Sequence, residues 1–289
     1  MRASKKLVIN ADDYGLTKGI TDGIVYGLEN GYLSDVSFIT NSSCFDYAAD
    51  QLKRLSRTSV GIHLTVVDGE VPLADAQKTP LILDVDGRFF KNRNHLFARM
   101  IYARSQVLKQ LECEFRCQIE KLLHSNFIPT HIDSHQHVHL FPGVSELVVI
   151  LAKEYGIPYI RLPRMYEFNR YYLPVDLLFR RFKRKVHDAG FPFFQFKGMD
   201  ESGVMNYEKL RHLIIGIGSG ITEIGVHPGR GDRETLDKYG SWNFDWDQEL
   251  EAVCDKRLKE VIERKDIYVT SFEKLIVSDN TSSSQDICS

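Results

Sequence analysis

The chain has 289 residues, 43% of them hydrophobic, with 37 Lys plus Arg against 39 Asp plus Glu. That length suits one large domain or two small ones, and the near-neutral balance argues against a dedicated nucleic-acid binder. The N-terminal MRASKKLVINADD holds only three consecutive aliphatics, so it reads as neither a signal peptide nor a membrane span, and no transmembrane segment is expected. The five cysteines, Cys44, Cys113, Cys117, Cys254 and Cys288, form no zinc-type repeat. They read as reduced thiols of a cytoplasmic protein.

In chain order, the strand signals are KLVINA (6–11), DVSFIT (35–40), SVGIHL (59–64), THIDS (130–134), PYIRL (158–162), FFQFK (193–197), EIGVH (223–227) and IYVTSF (267–272). Helical patterns lie between most of them. TKGITDGIVYGLENG starts on a capping Thr17 and ends on Gly31. SQVLKQLECEFRCQIEKLLHSN repeats Leu108, Leu111, Phe115, Ile119 and Leu122 at spacings of three and four. PGVSELVVILAKEYG has Pro at its start and Gly156 at its end, and NFDWDQELEAVCDKRLKEVIERK is a further helix. Strands alternating with helices imply parallel βαβ units, and eight units predict an α/β fold of the (β/α)-barrel kind in a single domain over 1–277. After the third strand the chain runs from Thr65 to about Ser105 before a clear helix. LILDVDGRFF within it reads as an inserted hairpin around Asp86-Gly87. The polar segment 278–289 is expected to be a disordered tail.

The strand ends carry the chemistry. In a parallel barrel the C-terminal rim holds the catalytic groups, and that rim collects Asp12 and Asp13, His63, the run THIDSHQHVHLFPG, Arg161 and His227. Each alone has an ordinary explanation: a turn or helix cap for Asp12-Asp13, a hydrogen-bonded core histidine for His63, a strand-end turn for His227, a structural ion pair for Arg161. The run is different. His131, Asp133, His135, His137 and His139 fall on every second residue, and buried polar groups in such number need partners. Imidazole and carboxylate are the usual ligands of a catalytic divalent metal. One strand end delivers only one or two ligands, so His135 is the expected ligand of this run. His131 and Asp133 belong deeper, as supports, and His137 and His139 in the following loop.

The segments NADDYG, GIHLT, THIDSHQHVHLFPG, IRLPR and TEIGVHPG, with KGMDESGVMNYEKL and a final YVTSFEKL, resemble the successive motifs of the YdjC-like carbohydrate deacetylases over nearly the whole chain. The resemblance implies a barrel-like fold and one divalent metal ion, zinc or magnesium. It also implies hydrolytic removal of acetyl from an N-acetylated sugar. By motif it makes Asp12 the base and Asp13, His63 and His135 the metal ligands. Two His and one carboxylate suit zinc, iron or cobalt better than magnesium, which prefers oxygen ligands. Within that reading His227 protonates the leaving nitrogen. Arg161 orients Asp12 or contacts the sugar, and Tyr14, His131 and Asp133 contact substrate or support the ligands. The rivals are a phosphoesterase, which would need two or three metals, and a sugar-binding protein that keeps the site without catalysis. One segment departs from the family pattern. RMYEFNRYYLPVDLLFRRFKRKVHD (164–188) is basic and aromatic, with Val175, Leu178, Phe182 and Val186 as one stripe. It reads either as a solvated barrel helix or as a contact for an anionic sugar or a membrane surface, with the Tyr171-Tyr172 pair available to stack on a sugar ring. A homodimer is left open.

Overall fold

The computed structural model describes residues 4–55, 59–163 and 173–285. All eight expected strands form: β1 (Lys5–Tyr14), β2 (Asp35–Phe38), β3 (Ser59–Leu64), β4 (His131–Ser134), β5 (Tyr159–Ile160), β6 (Gln195–Lys197), β7 (Gly220–Val226) and β8 (Ile267–Val269). Every pairing between them is parallel. Leu7, Val8, Ile9 and Ala11 of β1 are fully buried, as a strand covered on both faces requires. The curled sheet and its helices confirm the α/β, TIM-like architecture.

Closure differs from an eight-stranded barrel. The path is β5-β4-β3-β2-β1-β7-β6, with β8 off it. β7 pairs with β1 over Lys5–Ala11, while the other edge of β1 is shared. β8 takes Lys5–Leu7, and β2 takes Asn10 to Tyr14. Among the described residues nothing pairs β5 with β6. Strands of two and three residues offer too few ladder bonds to pull the curl shut.

The helices are α1 (Lys18–Asn30), α2 (Phe45–Arg54), α3 (Arg93–His124), α4 (Val144–Glu154), α5 (Leu173–Asp188), α6 (Tyr207–Ile215), α7 (Arg233–Tyr239), α8 (Trp246–Cys254), α9 (Leu258–Arg264) and α10 (Phe272–Gln285). Thr17 caps α1 by accepting from the Ile20 N–H. The single helix expected over NFDW…ERK divides into α8 and α9. Asp255 accepts a bond from the Arg257 N–H instead of continuing the helix. In the insertion after β3, the hairpin reduces to one antiparallel bridge, Leu83 to Phe89, turning at Gly87 with φ 72°. α3 starts earlier than expected, at Arg93 behind an Asn92 cap, and kinks at Ala103.

On α5, Phe179, Phe182 and Val186 are buried and Arg181, Lys183 and Arg184 are exposed. Phe179 thus joins the expected stripe, Leu178 is only half-buried, and Tyr171-Tyr172 and the Val175 side chain lie outside the described residues. The tail expected to be disordered from 278 is helical through Gln285. Phe272 and Leu275 anchor its first turns in the core, and extension from a formed turn needs no new nucleus. Cys44, Cys113, Cys117 and Cys254 are free thiols. No described helix is long and apolar enough to cross a membrane.

Candidate active site

Adjacent residues of a regular strand face opposite ways, yet Asp12 and Asp13 both reach one site. The pairing of β1 with β2 shifts register between Ala11 and Tyr14, and Asp13 has φ 62°. This bulge turns the second carboxylate back beside the first. A left-handed conformation is costly for most residues, but Asp is among those that tolerate it.

Asp13 meets two imidazoles. Its Oδ1 lies 2.8 Å from His135 Nδ1 and 3.3 Å from His63 Nε2. His63 stands directly across from Asp133 in the β3–β4 register, and its Nδ1 is 2.7 Å from Asp133 Oδ1. β4 ends at Ser134. His135 opens a 3₁₀ turn in which Gln136 and His137 have positive φ, so the strict alternation of the run is lost there, as expected. Burial lowers the pKa of His63, but Asp133 and Asp13 outweigh it and hold the group at about 9. Burial likewise disfavours charge on His135, and Asp13 with Asp68 raises it to about 10. Burial would raise Asp13, yet the two imidazoles pull it well below the usual carboxylate range.

Asp13, His63 and His135 each offer one ligand atom, and those atoms lie within 4.8 Å of one another. Asp13 Oδ2 is buried without a hydrogen-bond partner. A buried carboxylate oxygen left unpaired is costly. Gathered with two imidazoles, this carboxylate completes a set that fits a divalent cation.

Asp12 is held from the other side. Arg161, fully buried, grips both its oxygens, Nη1 to Oδ2 at 2.6 Å and Nη2 to Oδ1 at 2.8 Å. The same guanidinium reaches Asp133 Oδ2 at 2.8 Å and Glu223 Oε1 at 2.6 Å. Three carboxylates thus share one cation. Burial pushes Glu223 up to about 7 despite Arg161, while Arg161 itself is driven well above its ordinary value by its three partners, burial notwithstanding. With no accessible surface, Arg161 orients Asp12 and cannot contact a sugar.

His227, just past β7, has Nε2 3.9 Å from Asp12 Oδ2, and its backbone N–H donates to Glu249 Oε2 at 2.5 Å. Ser202 Oγ is 3.3 Å from its Nδ1. His131 is buried. It contacts Ser37 Oγ at 3.1 Å and Thr130 Oγ1 at 3.0 Å, and burial lowers its pKa to about 4. Gly61 makes room for its ring, since a Cβ there would lie 2.2 Å from Nε2. His139 is buried, bonded to Ser134 Oγ, and pushed by burial down to about 3. Tyr14 requires a correction. Beyond the bulge its side chain points into the helix layer, donating to the Ala48 carbonyl of α2 at 2.8 Å, and it is fully buried away from the site.

Five contributors escaped the sequence reading. Asp68, on the insertion, bonds His135 Nε2 at 2.8 Å. Glu223 is a charged residue inside an apolar strand, which was the available signal. Glu249 supports His227 from α8. Trp242 tilts against His135 at 5.1 Å and Phe244 against His227 at 5.2 Å, an arrangement that only the tertiary fold creates.

A sequence profile of the YdjC-like protein family matches residues 6–264. A carbohydrate deacetylase of Clostridium beijerinckii is 29% identical, the alignment covering 93% of this chain and all of the relative. A chitooligosaccharide deacetylase of Citrobacter koseri is 30% identical over 59% of this chain and 64% of its own. A crystal structure from Enterococcus faecalis V583, described provisionally as a cellobiose-phosphate cleavage protein, superposes with a TM-score of 0.79 at 23% identity. It covers 94% of this chain and 99% of that one, so the fold is shared.

Proposed function

The chain belongs to the YdjC-like protein family, and from that premise we propose that it is a metal-dependent hydrolase that removes acetyl from an N-acetylated sugar. One observation carries the reading. The unpartnered Asp13 Oδ2 belongs to a two-His, one-Asp set beside a second carboxylate, Asp12, that Arg161 grips. The names of the two relatives, both deacetylases acting on carbohydrate, supply the substrate class.

Asp13, His63 and His135 would hold the ion. When bound, it polarises the acetyl carbonyl and acidifies a water, which is the chemistry amide hydrolysis lacks at neutral pH. Asp12 accepts the proton of the attacking water. Arg161 keeps Asp12 aimed, and Asn10, 3.1 Å from Asp12 Oδ1, adds a further donor. His227 gives a proton to the departing nitrogen. Its place just past the strand paired with β1, with Nε2 3.9 Å from Asp12 Oδ2, supports a donor working next to the base. The free thiols suit a reducing compartment, and the cytoplasm is the proposed location.

The test is acetate release across a panel of N-acetylated sugars, with the protein as purified, chelated, and resupplied with zinc or magnesium. Release that requires added metal supports the reading. A chain that binds the sugars yet releases no acetate under any metal would favour the non-catalytic alternative, and two or three essential ions per chain would favour the phosphoesterase.

A further inference from the structure

His135 presents both ring nitrogens to carboxylates. Nδ1 is 2.8 Å from Asp13 Oδ1, and Nε2 is 2.8 Å from Asp68 Oδ2. A neutral imidazole has one N–H and one lone pair, and only the lone-pair nitrogen can bind a cation. We infer that Asp68, on the insertion between β3 and α3, is a positioning residue that takes the Nε2–H of His135 and so commits Nδ1 to the metal. The inference rests on the metal site proposed above and extends it to a residue outside that ligand set.

His63 is arranged the opposite way round. Asp133 Oδ1 occupies its Nδ1 at 2.7 Å, which leaves Nε2 toward Asp13. The two histidines therefore use different nitrogens, and each has a carboxylate of its own on the far side of the ring. Such partners fix tautomer and ring orientation and raise the basicity of the ligating nitrogen. Asp133 is built into the sheet, whereas Asp68 has to be delivered by a loop. That loop is held for the purpose. The Asp68 backbone N–H donates to the Phe90 carbonyl at 2.9 Å, and the residue sits at φ 63°. The Gln136 side chain also donates to its carboxylate, and Arg93 Nη1 fixes the Gln136 carbonyl at 3.0 Å. Trp242 lies along the His135 ring and limits its swing. Because the imidazole stands between them, Asp68 cannot share an ion with Asp13 while it holds Nε2.

The test uses the full chain stripped by chelator, titrated with zinc against a chromophoric competitor, alongside the visible spectrum of the cobalt form. Asp68→Ala should weaken zinc binding by about 10- to 100-fold, the scale on which such outer partners act. It should also alter the cobalt bands. Asp68→Glu should recover most of the affinity, and Asp68→Asn, whose carbonyl oxygen still accepts the N–H, should fall between. Asp84→Ala serves as the control. It removes the side chain that accepts from the Asp86 and Arg88 N–H groups at the turn of the same loop, without touching His135. It should leave zinc affinity within about twofold. Wild-type affinity in Asp68→Ala, or an equal loss in Asp84→Ala, overturns the assignment. If Asp68→Ala does not fold, unchanged affinity in Asp68→Asn together with no advantage for Asp68→Glu overturns it equally. Failure of the wild-type chain itself to bind one zinc would instead remove the underlying metal site.

Discussion

At the scale of single residues, the two neighbouring aspartates divide the work because their partners differ. Asp13 faces imidazoles and Asp12 faces a guanidinium. Asp12→Asn should keep its metal and lose at least about 10²-fold in turnover, since Asn is nearly isosteric but cannot accept the proton. Metal analysis and acetate release on the same preparation check this, and normal turnover would exclude Asp12 as the base. For His227→Ala, amide substrates should suffer far more than an activated ester, whose leaving group needs no proton. Equal damage to both would reassign His227 to binding or metal ordering. Arg161 also bears on folding. Its removal leaves Asp12, Asp133 and Glu223 buried without their cation, so Arg161→Ala should cost about 3–5 kcal/mol in denaturant unfolding. A loss under 1 kcal/mol would mean that the three carboxylates are neutralised by some other means. Sequence carried much of this scale. Asp12, Asp13, His63, His135, Arg161 and His227 are all where strand ends place them. Tyr14 was misassigned because the bulge at Asp13 changes which side chains share a face, and a bulge has no clear signature in NADDYG. Asp68 and Glu249 were missed because their partners lie far away in the chain.

Among elements, β3 and β4 form the platform of the site, and their register decides whether His63 meets Asp133. Gly61 lets the His131 ring lie against β3. Gly61→Ala should overpack this contact, destabilise the fold by about 1–3 kcal/mol, and weaken metal binding through the displaced His63. Unfolding and metal titration together check the pair, and a variant as stable as wild type would show that the ring shifts freely. His63 of β3 and His135 just past β4 set a proton balance. In the metal-free protein His63 and His135 hold protons up to about 9 and about 10. Their folded values lie above the ordinary 6.5. The stability they contribute is therefore full below about pH 6.5 and lost as pH rises through 9 to 10. Metal must displace those protons, so affinity should rise with pH across the neutral range. Calorimetry in buffers of different ionisation enthalpy should detect proton release near pH 7, and zero release would contradict the ligand assignment. Strands were legible at this scale because apolar runs of four to six residues between turn residues carry a strong signal. The short ladders of β5 and β6 carry almost none, so the open side of the barrel could not be read.

Across the whole molecule, the site is assembled from β1, β3, β4, β7, the residue after β5, and the insertion, so no single segment contains it. Its parts meet because the parallel sheet brings strand ends to one rim. The insertion and the segment formed by α7 and the loop after it then fold over that rim, linked to each other by the bond from the Tyr239 hydroxyl, at the end of α7, to Glu70. The composition of these covering segments shows no period that would betray their contact with the site, which is why the sequence locates the chemistry better than its enclosure. The most direct test of the central claim is acetate release from an N-acetylated oligosaccharide by the chelator-stripped chain as zinc is added back, with bound metal counted in parallel. Activity should rise in proportion to occupancy and saturate at one ion per chain, and His63→Ala and His135→Ala should lose both occupancy and acetate release. Full acetate release from the stripped protein, or full occupancy in both histidine variants, would contradict it.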